Sequence, residues 1–179
     1  ADDPFKLAPE ILGPDPNDPE ARLRIWGVDR VLSGDIITEQ NIHVLDVMSW
    51  VMDRLPKKAV GTCNQKVRKW GNCNDHFSII YDFGNDVDVA FSSRQFNAFG
   101  TQPEGIKNRM FGTNGTLEAN YQGAKVLLRI GEGDSYRGPQ RPPEALGGVA
   151  TNFSTFYDSI IAGDASNPTI APSVRSNLV

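Results

Sequence analysis

The chain has 179 residues, 39% of them hydrophobic and 22% charged, with a formal net charge of −4. That length carries about one domain's core, and the composition is that of a folded globular protein rather than a disordered chain. The acidic balance argues against a nucleic-acid surface, because the most basic stretch, KKAVGTCNQKVRK, interleaves its cations with apolar residues.

No apolar run approaches the ~20 residues that span a bilayer, and ADDPFKLAPE has no signal-peptide pattern. The expectation is a soluble protein, of the cytoplasm or, with a leader ahead of residue 1, of the periplasm. Residues 1–18 read as an irregular arm, since Pro4, Pro9, Pro14 and Pro16 can neither donate to a ladder nor sit inside a helix. DPEARLRIWGVDRVL then predicts a short helix with Asp18 as N-cap, Pro19 at its first position and Glu20 in its first turn. Trp26 on this run faces either the core or a cleft.

From Gly34 to Pro56, GDIITEQNIHVLDVMSWVMDRLP predicts one amphipathic helix. Ile37, Val44, Met48, Val51 and Leu55 form its core stripe, and Glu39, His43, Asp46 and Trp50 form an adjacent one. After Pro56 the period changes to two. AVGTCNQKV, HFSIIYDF, VDVAFSSRQF, NRMFGT, GTLEANY and KVLLRI predict strands, with hairpin turns at Gly84-Asn85-Asp86 and Asn114-Gly115. Such hairpin-linked strands imply a mainly antiparallel, open-faced sheet with the helices packed on one face, an α+β fold. Val87, Val89 and Phe91, with Phe83 and Met110 beside them, exceed what one helix layer covers, so the open face is expected to join subunits of a homo-oligomer.

GDSYRGPQRPPEALGG reads as a loop, and VATNFSTFYDSIIAG as a helix that docks Phe153, Phe156, Ile160 and Ile161 on the sheet, with Gly163 as its C-cap. IAPSVRSNLV opens a helix, from about residue 172, that stops without a cap and reads as truncated. The whole of 1–179 is expected to be a single domain. Cys63 and Cys73 do not have a zinc-site spacing; a disulfide and two free thiols both stay open.

The helix stripe is where chemistry concentrates. Oxidising an alcohol by hydride transfer requires that the hydroxyl proton leave to a general base, and a histidine with its ordinary pKa near ~6.5 suits that task. Glu39, four residues before His43, can orient the imidazole. By spacing alone His43 reads more readily as a satisfied, half-buried histidine at a helix–sheet boundary. Asp75, His76 and Arg94, at strand ends, can bond sugar hydroxyls if they point to the helix-covered face; otherwise they are solvent-exposed ends. Arg24, Trp26 and Arg30 can wall a pocket or be exposed helix residues. Glu39, His43, Asp75 and His76 also form a histidine–carboxylate set, without HExxH-like spacing, so no metal site is expected.

SGDIITEQNIHVLDVMSWVM, followed by DHF, FSSRQF, MFGTNGTLE and APSVRSNL, resembles the C-terminal domain of the glucose–fructose oxidoreductase, inositol dehydrogenase and MocA family, across residues 22–179. In that family an N-terminal Rossmann domain binds NAD or NADP, and a second α+β domain, like that of dihydrodipicolinate reductase, supplies the substrate pocket and the oligomer interface. The resemblance favours His43 and Glu39 as catalytic residues; Arg30, Gln40, Asp75, His76 and Arg94 are the expected substrate-binding residues. It implies NAD or NADP held mainly by a Rossmann domain outside this chain, and none bound by the chain alone.

This sequence departs from the family in carrying no GxGxxG loop and no Glu-Lys-Pro tripeptide, and in having Glu39 where many members have Asp. The expected function is the substrate-binding and catalytic domain of an NAD(P)-dependent oxidoreductase acting on a sugar, cyclitol or related polyol, with NAD-dependent glycoside cleavage on the same scaffold. The competing reading is a non-catalytic carbohydrate-binding or oligomerisation module.

Overall fold

A computed structural model describes residues 15, 17–96, 106–120, 125–129, 135–137, 148–166 and 168–179. Most of the expected N-terminal arm lies outside the described residues. The chain divides into two compact units, residues 1–103 with 173–179, and residues 104–172.

The first unit opens with α1 (Pro19–Arg24), where the Asp18 carboxylate accepts the amides of Glu20 and Ala21 at 3.4 and 3.2 Å, the cap the sequence predicts. The expected single helix over this run is divided, for a 3-10 turn (Trp26–Val28) and α2 (Arg30–Ser33) follow. The helix expected from Gly34 to Pro56 is likewise two, α3 (Ile36–Glu39) and α4 (Ile42–Met52), with a turn at Gln40–Asn41 between them. That turn changes the angular phase of the stripe. Ile36, Leu45, Met48 and Ser49 are the buried positions, whereas Val51 and Leu55 are 47% and 41% exposed. Leu55 also lies beyond the end of α4, which Asp53 closes in the left-handed conformation at φ +48°.

Three antiparallel strands follow in the order β1 (Lys58–Asn64), β2 (His76–Asp82), β3 (Asp88–Arg94). Phe83 donates its amide to Val87 across the β2–β3 turn, and Gly84, Asn85 and Asp86 all take positive φ, as the hairpin signal requires. Phe77, Tyr81, Phe83 and Phe91 pack with Ile36, Leu45 and Met48 into one core, and Tyr81 meets Phe91 edge to face with centroids 6.4 Å apart.

Val87 and Val89 pack against this core too. The residues named for an oligomer face therefore belong, in this unit, to the covered side. Register parity gives the outer side: rows Lys58–Asp82–Asp88, Val60–Ile80–Ala90, Thr62–Ser78–Ser92 and Asn64–His76–Arg94. Only one of these rows is apolar.

The second unit carries the antiparallel order β4 (Lys107–Gly112), β5 (Gly115–Asn120), β6 (Lys125–Arg129), β7 (Ser135–Arg137). Strand β7 falls inside the run read as a loop. The β4–β5 turn is Thr113–Asn114, one position earlier than the sequence suggests, because Gly112 pairs with Gly115. Helix α5 (Gly148–Ala162) forms and Gly163 terminates it at φ +64°. Its Phe153, Phe156, Ile160 and Ile161, expected to dock on the sheet, are all exposed.

Antiparallel sheets with added helices are the α+β class read from the sequence. Helix α6 (Ile170–Asn177) contributes its end to the first unit, where Ser176 bonds the Asp46 carboxylate and Arg175 pairs with Asp53 at 2.6 Å. Cys63 and Cys73 are free thiols, the first exposed and the second buried. No helix among the described residues is long and apolar enough to cross a membrane.

Candidate active site at a helix break

The turn that carries Glu39, Gln40 and His43 is held from both ends. At its N-terminal side, Gly34 closes α2 at φ +74°, and Asp35, also at φ +74°, turns the chain into α3. Asp35 is only 6% exposed and its carboxylate is fully engaged. One oxygen accepts the amides of Ile36 at 2.7 Å and Asn74 at 2.9 Å; the other accepts the Asn74 side-chain amide at 2.7 Å and Arg30 Nε at 3.0 Å. These bonds offset the strain of a left-handed non-glycine residue.

At its C-terminal side, the amides of Gln40 and Asn41 both reach the Ile36 carbonyl at 3.0 Å, and the Asn41 carbonyl starts α4 by accepting from Val44 and Leu45. Asn41 itself is 8% exposed, and its side-chain oxygen accepts the Ser93 hydroxyl from β3 at 2.9 Å. The break thus falls between Glu39 and His43. Glu39 is the last residue of α3 and half-buried; Gln40, within the turn, and His43, in the first turn of α4, are exposed. The side chains share a short segment, but not the single continuous helix that their spacing suggests.

The other expected site residues lie elsewhere. Ser93 reaches α4 and Phe91 is buried with it, so these alternate residues of β3 face the helices. Arg94 and its cross-strand partner His76 have the opposite parity and stand on the outer side. His76 and Arg94 are therefore corrected to the face away from Glu39 and His43. The histidine–carboxylate set does not converge, and among the described residues no group of three or more His, Cys, Asp or Glu is placed to hold a metal.

Asp75 is corrected further. It is completely buried, and one carboxylate oxygen accepts the backbone amides of Lys66, Val67 and Arg68 at 3.0, 2.7 and 2.8 Å, while the other meets His76 Nδ1 at 2.8 Å. Burial opposes its charge, but the Arg68 amide, the His76 ring and the Val67 and Lys66 amides outweigh burial and hold the carboxyl at about 2. It clamps the turn after β1 from a fully buried position.

Arg30 also braces: its side chain pairs with Asp35, and its backbone amide donates to Asn72 Oδ1 at 2.6 Å. Asp29, wholly buried, caps α2 through the Val31 amide and takes Arg22 at 2.6 Å. Asp46, on the expected polar stripe, is engaged by Ser176. Sequence reasoning missed Asn41, Ser93, Asp35 and Asn74. Only Ser93 carried a signal, as a polar residue at the parity of Val89 and Phe91. Burial raises the Cys73 thiol, partly offset by a hydrogen bond from Ser33, so it is no nucleophile at neutral pH.

The sequence profile of the family described as GFO/IDH/MocA C-terminal domain matches residues 11–118, more than half of the chain. The chain belongs to this family. No curated protein sequence matches it. Its fold matches that of an Agrobacterium radiobacter oxidoreductase crystallised with NAD+, L-tartaric acid and magnesium, at TM-score 0.58 and 16% identity, over 79% of this chain and 43% of the other. It matches UDP-N-acetylglucosamine 3-dehydrogenase from Acidithiobacillus ferrooxidans at TM-score 0.58 and 14% identity, over 82% and 45%. A proposed oxidoreductase of Thermotoga maritima matches at TM-score 0.61 and 16% identity, over 85% and 45%. The chain spans less than half the length of these proteins.

Proposed function

We propose that this oxidoreductase-family C-terminal domain provides the substrate side of an NAD(P)-dependent oxidation of a sugar, cyclitol or related polyol. The observation that carries the reading is the braced break of α3 and α4, which presents the half-buried Glu39 and the exposed Gln40 and His43 together. In this reading His43 accepts the substrate hydroxyl proton, Glu39 orients the imidazole, and Gln40 bonds a neighbouring hydroxyl through its amide. The nicotinamide ring supplies the hydride acceptor.

All described strand pairs are antiparallel, so they offer no parallel βαβ crossover with a glycine-rich turn for a dinucleotide pyrophosphate. In this reading NAD or NADP would be held mainly by a Rossmann domain of the parent protein. Two proteins of this fold support a polyhydroxylated substrate, one by its name as a sugar-nucleotide dehydrogenase and one by its bound L-tartaric acid. A homo-oligomer through the outer face of β1–β3 would meet at the Val60–Ile80–Ala90 row.

The test is turnover of the full-length protein with NAD+ or NADP+ across a panel of sugars and cyclitols, with and without His43→Ala. Loss of a positioned base costs about 10²–10⁴-fold in kcat. His43 is exposed, so the melting temperature should stay within a few degrees. A variant with undiminished turnover would remove the catalytic assignment and favour a carbohydrate-binding or assembly module.

A further inference from the structure

We infer that Asn41 and Ser93 are positioning residues: a hydrogen-bonded pair beneath the helix break that sets the direction of Gln40 and His43. The inference rests on the reading of His43 as the base. The pair joins residues 52 positions apart through one bond of 2.9 Å, Ser93 Oγ donating to Asn41 Oδ1. It tethers the start of α4 to the sheet, and it attaches at the residue whose carbonyl begins that helix.

Its chemistry is not what core packing asks for. Asn41 is 8% exposed, and its Nδ2 is buried with no hydrogen-bond partner among the described residues. A buried, unpartnered amide donor costs stability, and a leucine, with the same number of side-chain heavy atoms, opposite an alanine would leave no polar atom unpaired at this contact. Retaining a half-satisfied amide is explained if the Asn41–Ser93 bond fixes a direction that apolar contacts do not. Apolar packing tolerates small rotations, whereas one hydrogen bond between a strand residue and the first turn of a helix resists them. Proton transfer from a bound hydroxyl depends on such alignment, and misplacement by about 1 Å can cost on the order of 10²-fold in rate. The pair acts through His43 and Gln40 and touches no reacting atom itself.

The experiment compares the full-length wild type with Ser93→Ala, Ser93→Thr, the double variant Asn41→Leu/Ser93→Ala, and His43→Ala. Turnover on the panel above, melting temperature, and hydrogen–deuterium exchange of peptides covering residues 36–45 are measured for each. The expected result for the double variant is an unchanged or raised melting temperature, exchange in 36–45 faster by about tenfold, and a kcat lower by about tenfold or more at a KM within about twofold. Ser93→Thr, which keeps the hydroxyl, should return kcat to near the wild-type value.

Unchanged exchange in 36–45 would overturn the inference outright, whatever the activity. Faster exchange with undiminished kcat, in a protein where His43→Ala abolishes turnover, would overturn it while leaving His43 as the base. A kcat loss accompanied by a large fall in melting temperature in both Ser93→Ala and the double variant would make the pair a simple fold-holder. If His43→Ala retains turnover, the reading of His43 fails first, and with it the role assigned to the pair.

Discussion

Replacing Asp75 by Asn is expected to destabilise the first unit by about 2 kcal/mol at neutral pH, and the deficit is expected to vanish in acid. The carboxyl titrates at about 2 in the folded chain against an ordinary value of 3.8. A depressed folded-state value means that the unfolded chain binds more protons between the two. Stability from this group is therefore fully present above about pH 5 and lost as pH falls toward about 2. A shift of somewhat under two units corresponds to about 2 kcal/mol, roughly half of which remains near pH 3.

The Asn side chain can keep its oxygen toward the Lys66, Val67 and Arg68 amides and turn its NH₂ to His76, so the geometry survives while charge-assisted bonds become neutral ones. Trp26, Trp50 and Trp70, all the tryptophans of the chain, lie in this unit, so their fluorescence follows its unfolding. In a thermal scan the cost should read as a fall of about 9 °C at neutral pH for a unit of this size. Urea titrations of wild type and variant at pH 7, 3 and 2 should show the gap narrowing stepwise. A gap that stays constant across that range, or no gap at pH 7, would refute the claim that the three amides and His76 stabilise the charge.

Two further predictions test the placement of individual residues. Gly71 sits at φ +78°, and a Cβ there would meet the Val28 backbone oxygen and Cβ at 2.7 Å, so Gly71→Ala should cost about 2 kcal/mol or more. The companion Gly27→Ala, with nothing within 4 Å, should stay within about 0.5 kcal/mol, and equal effects in denaturant titrations would contradict the packing of Val28 on this turn. Arg94→Ala, on the outer side of β3, should leave kcat and KM of the full-length protein within about twofold of wild type. A tenfold loss on the sugar panel would return Arg94 to the substrate site.

What the sequence made legible follows from how local each signal is. Asp18 as a cap, the Gly84-Asn85-Asp86 turn, and Gly163 at the end of α5 were readable because donor, acceptor and backbone conformation lie within a few residues. The helix break was not, because Glu39 and His43 keep a spacing of four whether or not the helix continues between them, and what selects the break is a hydroxyl on β3 and a carboxylate bound to Asn74. Period-two alternation separated the two faces within each strand, but the register that pairs Phe77 with Ser93, and so puts His76 on the opposite face, comes from the folded sheet. It could not say which face the helices cover.

The same limit applies to the acidic residues. Asp29, Asp35 and Asp75 read in sequence like any solvated carboxylates, yet all three are buried and braced by backbone amides, in two of them from segments 7 to 39 residues away. A buried carboxylate persists as a charge only where several donors converge, so its burial here is a property of the loops folded around it. Gln40 and His43, at the break, are by contrast exposed. Burial and bracing thus separate the carboxylates that shape these turns from the exposed polar residues beside them, a division that residue type and spacing do not encode.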